Sequence, residues 1–475
     1  MITTVKLERR LLMKQQYMMD MTTGKPMKLM LSFTIPMLIG NIFQQLYNMV
    51  DSMIVGQFVS ADALAAVGST GSILFLLFSL GLGLSTGIGI ITSQYYGAGS
   101  LLQVQKTITS SVYVLSTASL LMSLVGCIFA NSILKAMNTP DGILDDAMMY
   151  LRVSCAGTLF MIAYNGISSI LRALGDSKTP LMFLVLASFL NIGLDLLFVR
   201  IFHWRVFGVA FASILSQLIA ALSSILFAIC KYPYFKIPKG LWKPDRELMI
   251  KCLKIGTPVA LQNSLISISC LALQRVVNEF KETVMSSYTA AGRFEQLVQQ
   301  PFNSLGTAVA TFTGQNIGAN QMERVRKGFR CATLLCVLFS AAMLPVAFFG
   351  GTFIMRLFVD EPEVISIGAR AIQITSLFYF PLGMIYVSRN VLNGAGDTLY
   401  AMGNGIFEVI GRVGFARPLT SIPFLGIWGI WITTGLTWTL TGSISCLRYA
   451  SGKWKNKSVA HPTLVHQMDQ KRNRP

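Results

Sequence analysis

The chain contains one pattern twice. Thr92-Ser93-Gln94-Tyr95-Tyr96-Gly97-Ala98 returns as Thr313-Gly314-Gln315-Asn316-Ile317-Gly318-Ala319, at an offset of 221 in numbering (315 against 94). Lys106 and Lys327, Leu171 and Leu392, Gly175-Asp176 and Gly396-Asp397, Gly193 and Gly414, and Gly208 and Gly429 keep the same offset. A fixed period over that much chain means two copies of one unit with almost no net insertion between them. The expected limits are a tail over 1–26, a lobe over 27–230, a linker over 231–248, a second lobe over 249–450 and a tail over 451–475.

Both copies read as membrane-embedded. Hydrophobic residues make up 53% of the chain and charged residues 13%, with a mean hydropathy of +0.57; soluble domains carry about 25% charged residues. Apolar runs of about 20 residues, each long enough to cross a bilayer, recur along the whole length. Twelve spans are expected near 28–58, 63–92, 107–130, 148–170, 180–201, 208–230, 249–279, 284–312, 330–350, 364–391, 398–420 and 424–449. The first and seventh are long, which predicts a tilt or a bend. No alternating ten-residue strands point to a β-barrel. An even number of spans per lobe starts both copies on the same side, so the repeat is parallel. The fold class is therefore an all-α polytopic membrane protein with twelve transmembrane helices in two parallel-repeat six-helix bundles. Such an arrangement binds cargo between its halves and alternates access. A receptor or scaffold has no need of two equivalent lobes.

The formal net charge of +18 invites a nucleic-acid partner, but its distribution argues against one. Most Lys and Arg lie in the N-terminal tail, the Lys231–Lys254 loop, the Arg324–Arg330 loop and the Arg448–Arg474 tail. With twelve spans these fall on one side, which the positive-inside rule places in the cytoplasm with both termini. The expectation is a multi-pass plasma-membrane protein, functional as a monomer. Residues 1–26 hold Lys6, Arg9, Arg10 and Lys14 without an apolar core, so no signal peptide is read there; Met18, Met19 and Met21 are alternative starts. Pro233, Pro238 and Pro244 stiffen the linker, and the last twenty-odd residues are polar enough to be disordered. The eight cysteines form no C-x-x-C pair and read as small buried residues. His203, His461 and His466 are too dispersed for a metal site. Gly81, Gly83, Gly87 and Gly89 sit mid-membrane and read as close helix packing. Gly175-Asp176-Ser177-Lys178-Thr179 lacks the spacing of a phosphate-binding loop. The chain is not read as an enzyme, and no organic cofactor is expected.

Ionisable residues inside a bilayer are costly and are functional candidates by default. The interior ones are Asp51, Asp195, Arg293, Glu295, Glu408 and Arg412. At the offset of 221, Asp51 becomes Ala272, Asn191 becomes Arg412 and Asp195 becomes Ala416, while Glu408, Arg293 and Glu295 map back to Ala187, Ser72 and Leu74. None of these charges is shared between copies, so they serve a task rather than the fold. Gln44, Tyr47, Asn48 and Asp51 stand at i, i+3, i+4 and i+7 on one helical face, and Ser188, Asn191 and Asp195 share another. Two carboxylates and an amide suit one small cation. If the carboxylates approach closely they cannot both ionise cheaply, and one can take up a proton near neutral pH; a hard cation such as Na⁺ also fits oxygen ligands. The bland alternative is that each Asp caps a bend or faces water without coupling. Glu408 and Arg412 form an i, i+4 pair that can be self-neutralising. Arg293 and Glu295, two apart, cannot face each other and suggest span-end or interhelical pairing. Gln296, Gln300 and Asn303, with Asn263, Ser267 and Gln274, could line a cavity or bond neighbouring helices.

Pro36 to Gly56, with Gln44-Gln45-Leu46-Tyr47-Asn48-Met49-Val50-Asp51, resembles the first helix of the multidrug and toxic compound extrusion (MATE) family. Leu171-Arg172-Ala173-Leu174-Gly175-Asp176, Asn191-Ile192-Gly193-Leu194-Asp195 and Gly314-Gln315-Asn316-Ile317-Gly318-Ala319 resemble it too. The resemblance covers about Gly24 to Lys453. It implies export of organic, often cationic or amphiphilic, compounds in exchange for H⁺ or Na⁺. It also implies a cation site at Asp51, Asn191 and Asp195, with Ser213 matching a sixth-helix hydroxyl beside it. The family's seventh-helix Glu has no counterpart in the interior of that span; Glu279 lies only near its end. A flippase for lipid-linked sugars or other amphiphiles is the alternative.

Overall fold

The structure is a computed structural model, and residues 18–460 are described. The basic stretch before residue 18, His461, His466 and most of the polar C-terminal tail lie outside the described residues.

A chain crossing lipid must satisfy its own backbone hydrogen bonds, and these long apolar runs do so as helices. The first unit contains α1 (Pro26–Phe58), α2 (Ala61–Gly97), α3 (Leu101–Ala136), α4 (Asp141–Ala156), α5 (Thr158–Ala173), α6 (Lys178–Asp195) and α7 (Arg205–Lys231). The second contains α8 (Arg246–Val277), α9 (Glu282–Gly318), α10 (Met322–Arg356), α11 (Pro362–Ser376), α12 (Tyr379–Ala395), α13 (Thr398–Thr420) and α14 (Gly429–Ala450). The repeat written in the sequence is a repeat of elements: α2 and α9 begin and end at the same offset of 221 (282 against 61, 318 against 97). No strand occurs among the described residues.

The fourteen helices make twelve spans, because α4 with α5 and α11 with α12 are bent pairs, at 46° and 51°. The bends fall at Gly157 and at Leu377–Phe378, in the fourth and tenth spans. The first and seventh, expected to tilt or bend for their length, run as single helices of 33 and 32 residues. α2 and α9, at 37 residues each, are longer still. Seven single helices and both bent pairs are apolar enough to span by hydropathy. α9, α13 and α14 are too polar or charged in sequence to be among them, and they are the counterparts of the strongly apolar α2, α6 and α7.

Contacts gather residues 18–21 and 35–260 into one compact unit and residues 22–34 and 261–460 into another. The opening turns of α1 therefore belong with the second unit, and those of α8, up to residue 260, with the first. The glycines of α2 explain the latter. A Cβ on Gly83 would collide with the Ala260 backbone, and one on Gly87 with the Gly256 backbone. Their absence lets two helices touch backbone to backbone.

The two Gly-Asp turns are built alike. Gly175 and Gly396 have φ of +88° and +90°, the left-handed conformation that closes a helix and favours glycine. Asp176 and Asp397 donate their N–H groups to the Leu171 and Leu392 carbonyls, each at 2.9 Å. The partners then diverge: Asp176 accepts from the Tyr232 hydroxyl, whereas Asp397 pairs with Arg448 at 2.8 Å. Met19 N–H donates to the Gly175 carbonyl at 3.3 Å, and Met21 is fully buried. All eight cysteines are free; Cys155, Cys252 and Cys336 are buried, whereas Cys230 and Cys270 are exposed.

The linker folds into two short 3-10 turns, Pro233–Phe235 and Lys239–Trp242. Asp245 then anchors α8. Its Oδ1 accepts from Leu248 N–H at 3.2 Å and its Oδ2 from Lys106 Nζ at 3.1 Å. Partial burial works to raise this carboxyl, but the Leu248 N–H and the Lys106 ammonium outweigh it and hold the group below its ordinary range. A depressed folded value contributes stability at neutral pH, and that contribution is lost as pH falls through it. Asp245→Ala should therefore cost about 1 kcal/mol, the worth of a helix cap. Detergent unfolding at pH 7 and pH 3 should show the gap from wild type narrowing in acid.

Candidate cation site and its counterpart in the second unit

In the first unit, α1 and α6 bring their acids together. The Asp51 and Asp195 carboxyl groups lie within hydrogen-bonding reach of each other. A bond between two carboxyls needs a proton on one of them, since an ionised carboxylate only accepts. Asp195 is fully buried and Asn191 nearly so. In the orientation its neighbours satisfy, Asn191 Nδ2 donates to Asp195 Oδ2 at 2.9 Å. Its Oδ1 then accepts from the Ser213 N–H at 3.2 Å and from the Ser213 hydroxyl at 3.3 Å. Tyr47 also hydrogen-bonds Ser213 and lies near both acids. Asp51 Oδ1 and Asp195 Oδ1 are buried without a hydrogen-bond partner. Orphaned buried acceptors of this kind are costly, and a bound cation would satisfy them.

Local structure holds this arrangement. α6 ends at Asp195 and passes into a π-helical turn, Leu196–Ile201. Such widened turns gather at functional sites. The chain then reverses through His203 and Arg205, both at positive φ (55° and 48°). Phe198 stacks on Trp204 at 5.0 Å and packs on Phe211 at 5.6 Å. This aromatic block fixes the reversal that brings Ser213 of α7 back beside Asn191 of α6.

The accessory residues separate. Gln44 and Asn48 are exposed, one turn and more from Asp51. Ser188 is buried, but its hydroxyl donates to Leu184 in its own helix at 2.9 Å. Tyr150 of α4, not among the candidates from sequence, lies close enough to Asp51, Tyr47 and Asp195 to interact with all three, and hydrogen-bonds Ser154. Its signal was weak, because it comes from another span and shares no helical face with either acid.

The second unit places a cation where the first has the neutral Asn191. Arg412, the counterpart of Asn191, donates to Ser269 Oγ and to Cys270 Sγ of α8, each at 2.7 Å. Its other amino group is 3.7 Å from Glu408 Oε2, and both side chains are buried. Glu295 of α9 hydrogen-bonds Thr375 of α11 and feels the Arg412 charge. Glu295 Oε1, Arg412 Nε, the Tyr379 hydroxyl and Trp431 Nε1 are buried without partners. Arg293 is exposed and enters no ion pair with a described residue. Glu279 pairs with Arg417 at 2.7 Å on the surface.

The expected polar lining is only partly free. Gln300 Nε2 donates to the Gln296 carbonyl at 3.1 Å, the Asn303 carbonyl accepts from Thr307, and the Asn263 carbonyl accepts from Ser267. The Gln296 and Asn303 side chains are exposed, and Asn263 is half-buried. Gln262, overlooked in the sequence, is buried and donates to the Ala401 carbonyl at 2.6 Å, tying α8 to α13. No group of three or more His, Cys, Asp or Glu side chains suited to a metal occurs among the described residues.

Comparison with known proteins bears on what such an acid pair belongs to. The MatE family model matches residues 36–197 and again 258–416, once in each repeat. The chain belongs to the MATE family. Within it, the chain is 31% identical over 439 residues to the Bacillus subtilis (strain 168) protein named "Probable multidrug resistance protein YpnP", covering 92% of this chain and 97% of that one. It is 24% identical over 375 residues to a protein of Shewanella oneidensis named "FAD transporter", covering 77% and 82%. Among solved structures, a MATE family multidrug resistance transporter in an outward-facing conformation superposes with a TM-score of 0.85 at 23% identity, over 91% of this chain and 98% of that one. That likeness establishes the MATE fold of twelve spans. The chain is thus a multi-pass membrane protein of a multidrug efflux transporter family.

Proposed function

We propose that this MATE protein exports organic cationic or amphiphilic compounds across the plasma membrane, with both termini in the cytoplasm. It works by alternating access, driven by inward proton movement through Asp51 and Asp195. The shared carboxyl pair carries the reading. Two acids in hydrogen-bonding contact hold one proton between them. They can release it only when the contact opens or a positive charge replaces it. Asn191, itself held by Ser213, keeps Asp195 in place. An ion drives cargo only if it interacts differently with the two conformations, and a pair that must part to ionise meets that condition. Na⁺ is the competing ion, since the two orphaned carboxylate oxygens would also accept it.

The Shewanella relative raises a second cargo class. A polyanionic cargo would need interior cations to spare, and the buried one in the second unit, Arg412, is already engaged by Glu408, Ser269 and Cys270. Cationic or neutral amphiphiles are therefore favoured.

Proteoliposomes loaded with a fluorescent organic cation test both points. A pH gradient alone should drive uptake or release, and a Na⁺ gradient at equal pH should not. Transport driven only by Na⁺ would transfer the coupling to that ion. Movement of a labelled amphiphilic lipid, with none of the organic cation, would favour a flippase.

A further inference from the structure

At one end of the second unit, where α10 begins and α14 finishes, a recess of about 440 Å³ is lined by Arg326, Phe329, Arg330, Tyr449, Trp454 and Lys455. Its aromatic wall is rigid. Phe329 stacks on Tyr449 at 3.8 Å, and Tyr449 stacks on Trp454 at 5.5 Å. The Trp454 indole N–H donates to the Tyr449 carbonyl at 2.9 Å, and Trp454 is only 1% exposed. Among the described residues, the one ion pair made by these three cations joins Arg326 to Glu323 at 3.8 Å on the open surface. The recess is therefore net cationic.

The repeat supplies an internal control. At the same offset of 221, Arg326, Arg330 and Lys455 correspond to Gln105, Thr109 and Tyr234, and Phe329, Tyr449 and Trp454 to Ile108, Ala228 and Pro233. In that unit the linker lies against the equivalent ground, with Gln105 Nε2 donating to the Lys236 carbonyl at 3.1 Å. The fold is thus made without these cations. They are particular to the second unit and call for a ligand of their own.

The surface below the recess identifies the ligand class. Leu334, Val337 and Leu338 follow Arg330 at i+4, i+7 and i+8, on one face of α10, and all three are exposed. A strip of apolar side chains therefore runs from the cations into the membrane-spanning part of the helix. An acidic peptide has no use for that strip. The chain's own tail beyond residue 460 has the wrong charge, with Asp469 alone against Lys471, Arg472 and Arg474.

We propose that this recess binds the phosphate headgroup of an anionic phospholipid from the adjoining leaflet, with its acyl chains along Leu334, Val337 and Leu338. Guanidinium forks suit phosphate oxygens, and clustered Lys and Arg beside a membrane helix attract anionic lipid. Native mass spectrometry of the full-length protein tests this with equimolar phosphatidylglycerol and phosphatidylcholine of identical chains. Wild type should retain phosphatidylglycerol preferentially. Arg326→Gln/Arg330→Gln/Lys455→Gln should lose that preference by about a hundredfold. Arg356→Gln/Arg370→Gln, which share a recess formed by the far end of α10 and by α11, should keep it. Single Arg330→Gln and Lys455→Gln variants should give smaller losses, and Arg330→Lys, which keeps the charge but not the fork, a loss between wild type and Arg330→Gln. Inorganic phosphate at the same concentration should not displace the lipid, because it lacks the apolar contacts. Equal retention of both lipids by wild type, an unchanged preference in the triple variant, or full displacement by phosphate would each overturn the proposal.

Discussion

Asp51→Asn is expected to abolish gradient-driven export while the protein still folds, inserts and binds cargo. The amide keeps the size of the carboxyl and supplies a permanent donor to Asp195, so it imitates the proton-sharing pair. What it cannot do is release that proton. The contact between α1 and α6 then no longer has to part for a shared proton to leave, because the amide donor satisfies the ionised Asp195 carboxylate, and the proton gradient loses its hold on the conformational equilibrium. Transport driven by a pH gradient should fall on the order of tenfold or more, the range spanned by ordinary coupling energies. Cargo binding, read by fluorescence quenching, should change far less. Asp195→Asn should show the same loss with a larger stability penalty, because Asp195 is fully buried and accepts from Asn191. Wild-type export by both variants would make the pair structural and move any coupling elsewhere, with Glu408 the first place to look.

Much of this was legible because a duplicated chain provides its own comparison. The helix pairs keep the offset, with α2 and α9 matching at both ends. The offset also separated shared turn residues, such as Gly175 and Gly396, from charges present in one copy only. Helical spacing then put Asp51 and Asp195 on interior faces. Contacts between spans were not legible in the same way. Glu295 is expected from sequence to pair at a span end or between helices, but spacing cannot name its partners, Thr375 and Arg412, which come from α11 and α13. Tyr150 was missed for the same reason. Ser188 shared a face with Asn191, yet its hydroxyl returns to its own backbone, a choice that buried serines in membrane helices often make. The bends at Gly157 and at Leu377–Phe378 interrupt continuously apolar stretches with no proline at the break, so hydropathy could not mark them.

Arg412 is expected to be the most sensitive buried position in the second unit. It holds the place that Asn191 holds in the first, and its guanidinium is shared among Glu408, Ser269, Cys270 and the field of Glu295. Arg412→Met keeps most of the side-chain volume but leaves two carboxyl groups in apolar surroundings without a counter-charge. Removing one partner of a buried ion pair typically costs about 3–5 kcal/mol, because the remaining charge stays desolvated. The variant should lose stability on that scale in detergent, seen as an earlier melting transition and a smaller monodisperse fraction. The cause can be separated from lost packing. Adding Glu408→Gln to Arg412→Met removes the stranded charge and should recover a clear part of the loss, and adding Glu295→Gln should recover more. If Arg412→Met melts like wild type, the ion pair with Glu408 contributes nothing. If the combined variants recover nothing, the arginine matters through its bonds to Ser269 and Cys270, which tie α13 to α8, rather than through charge.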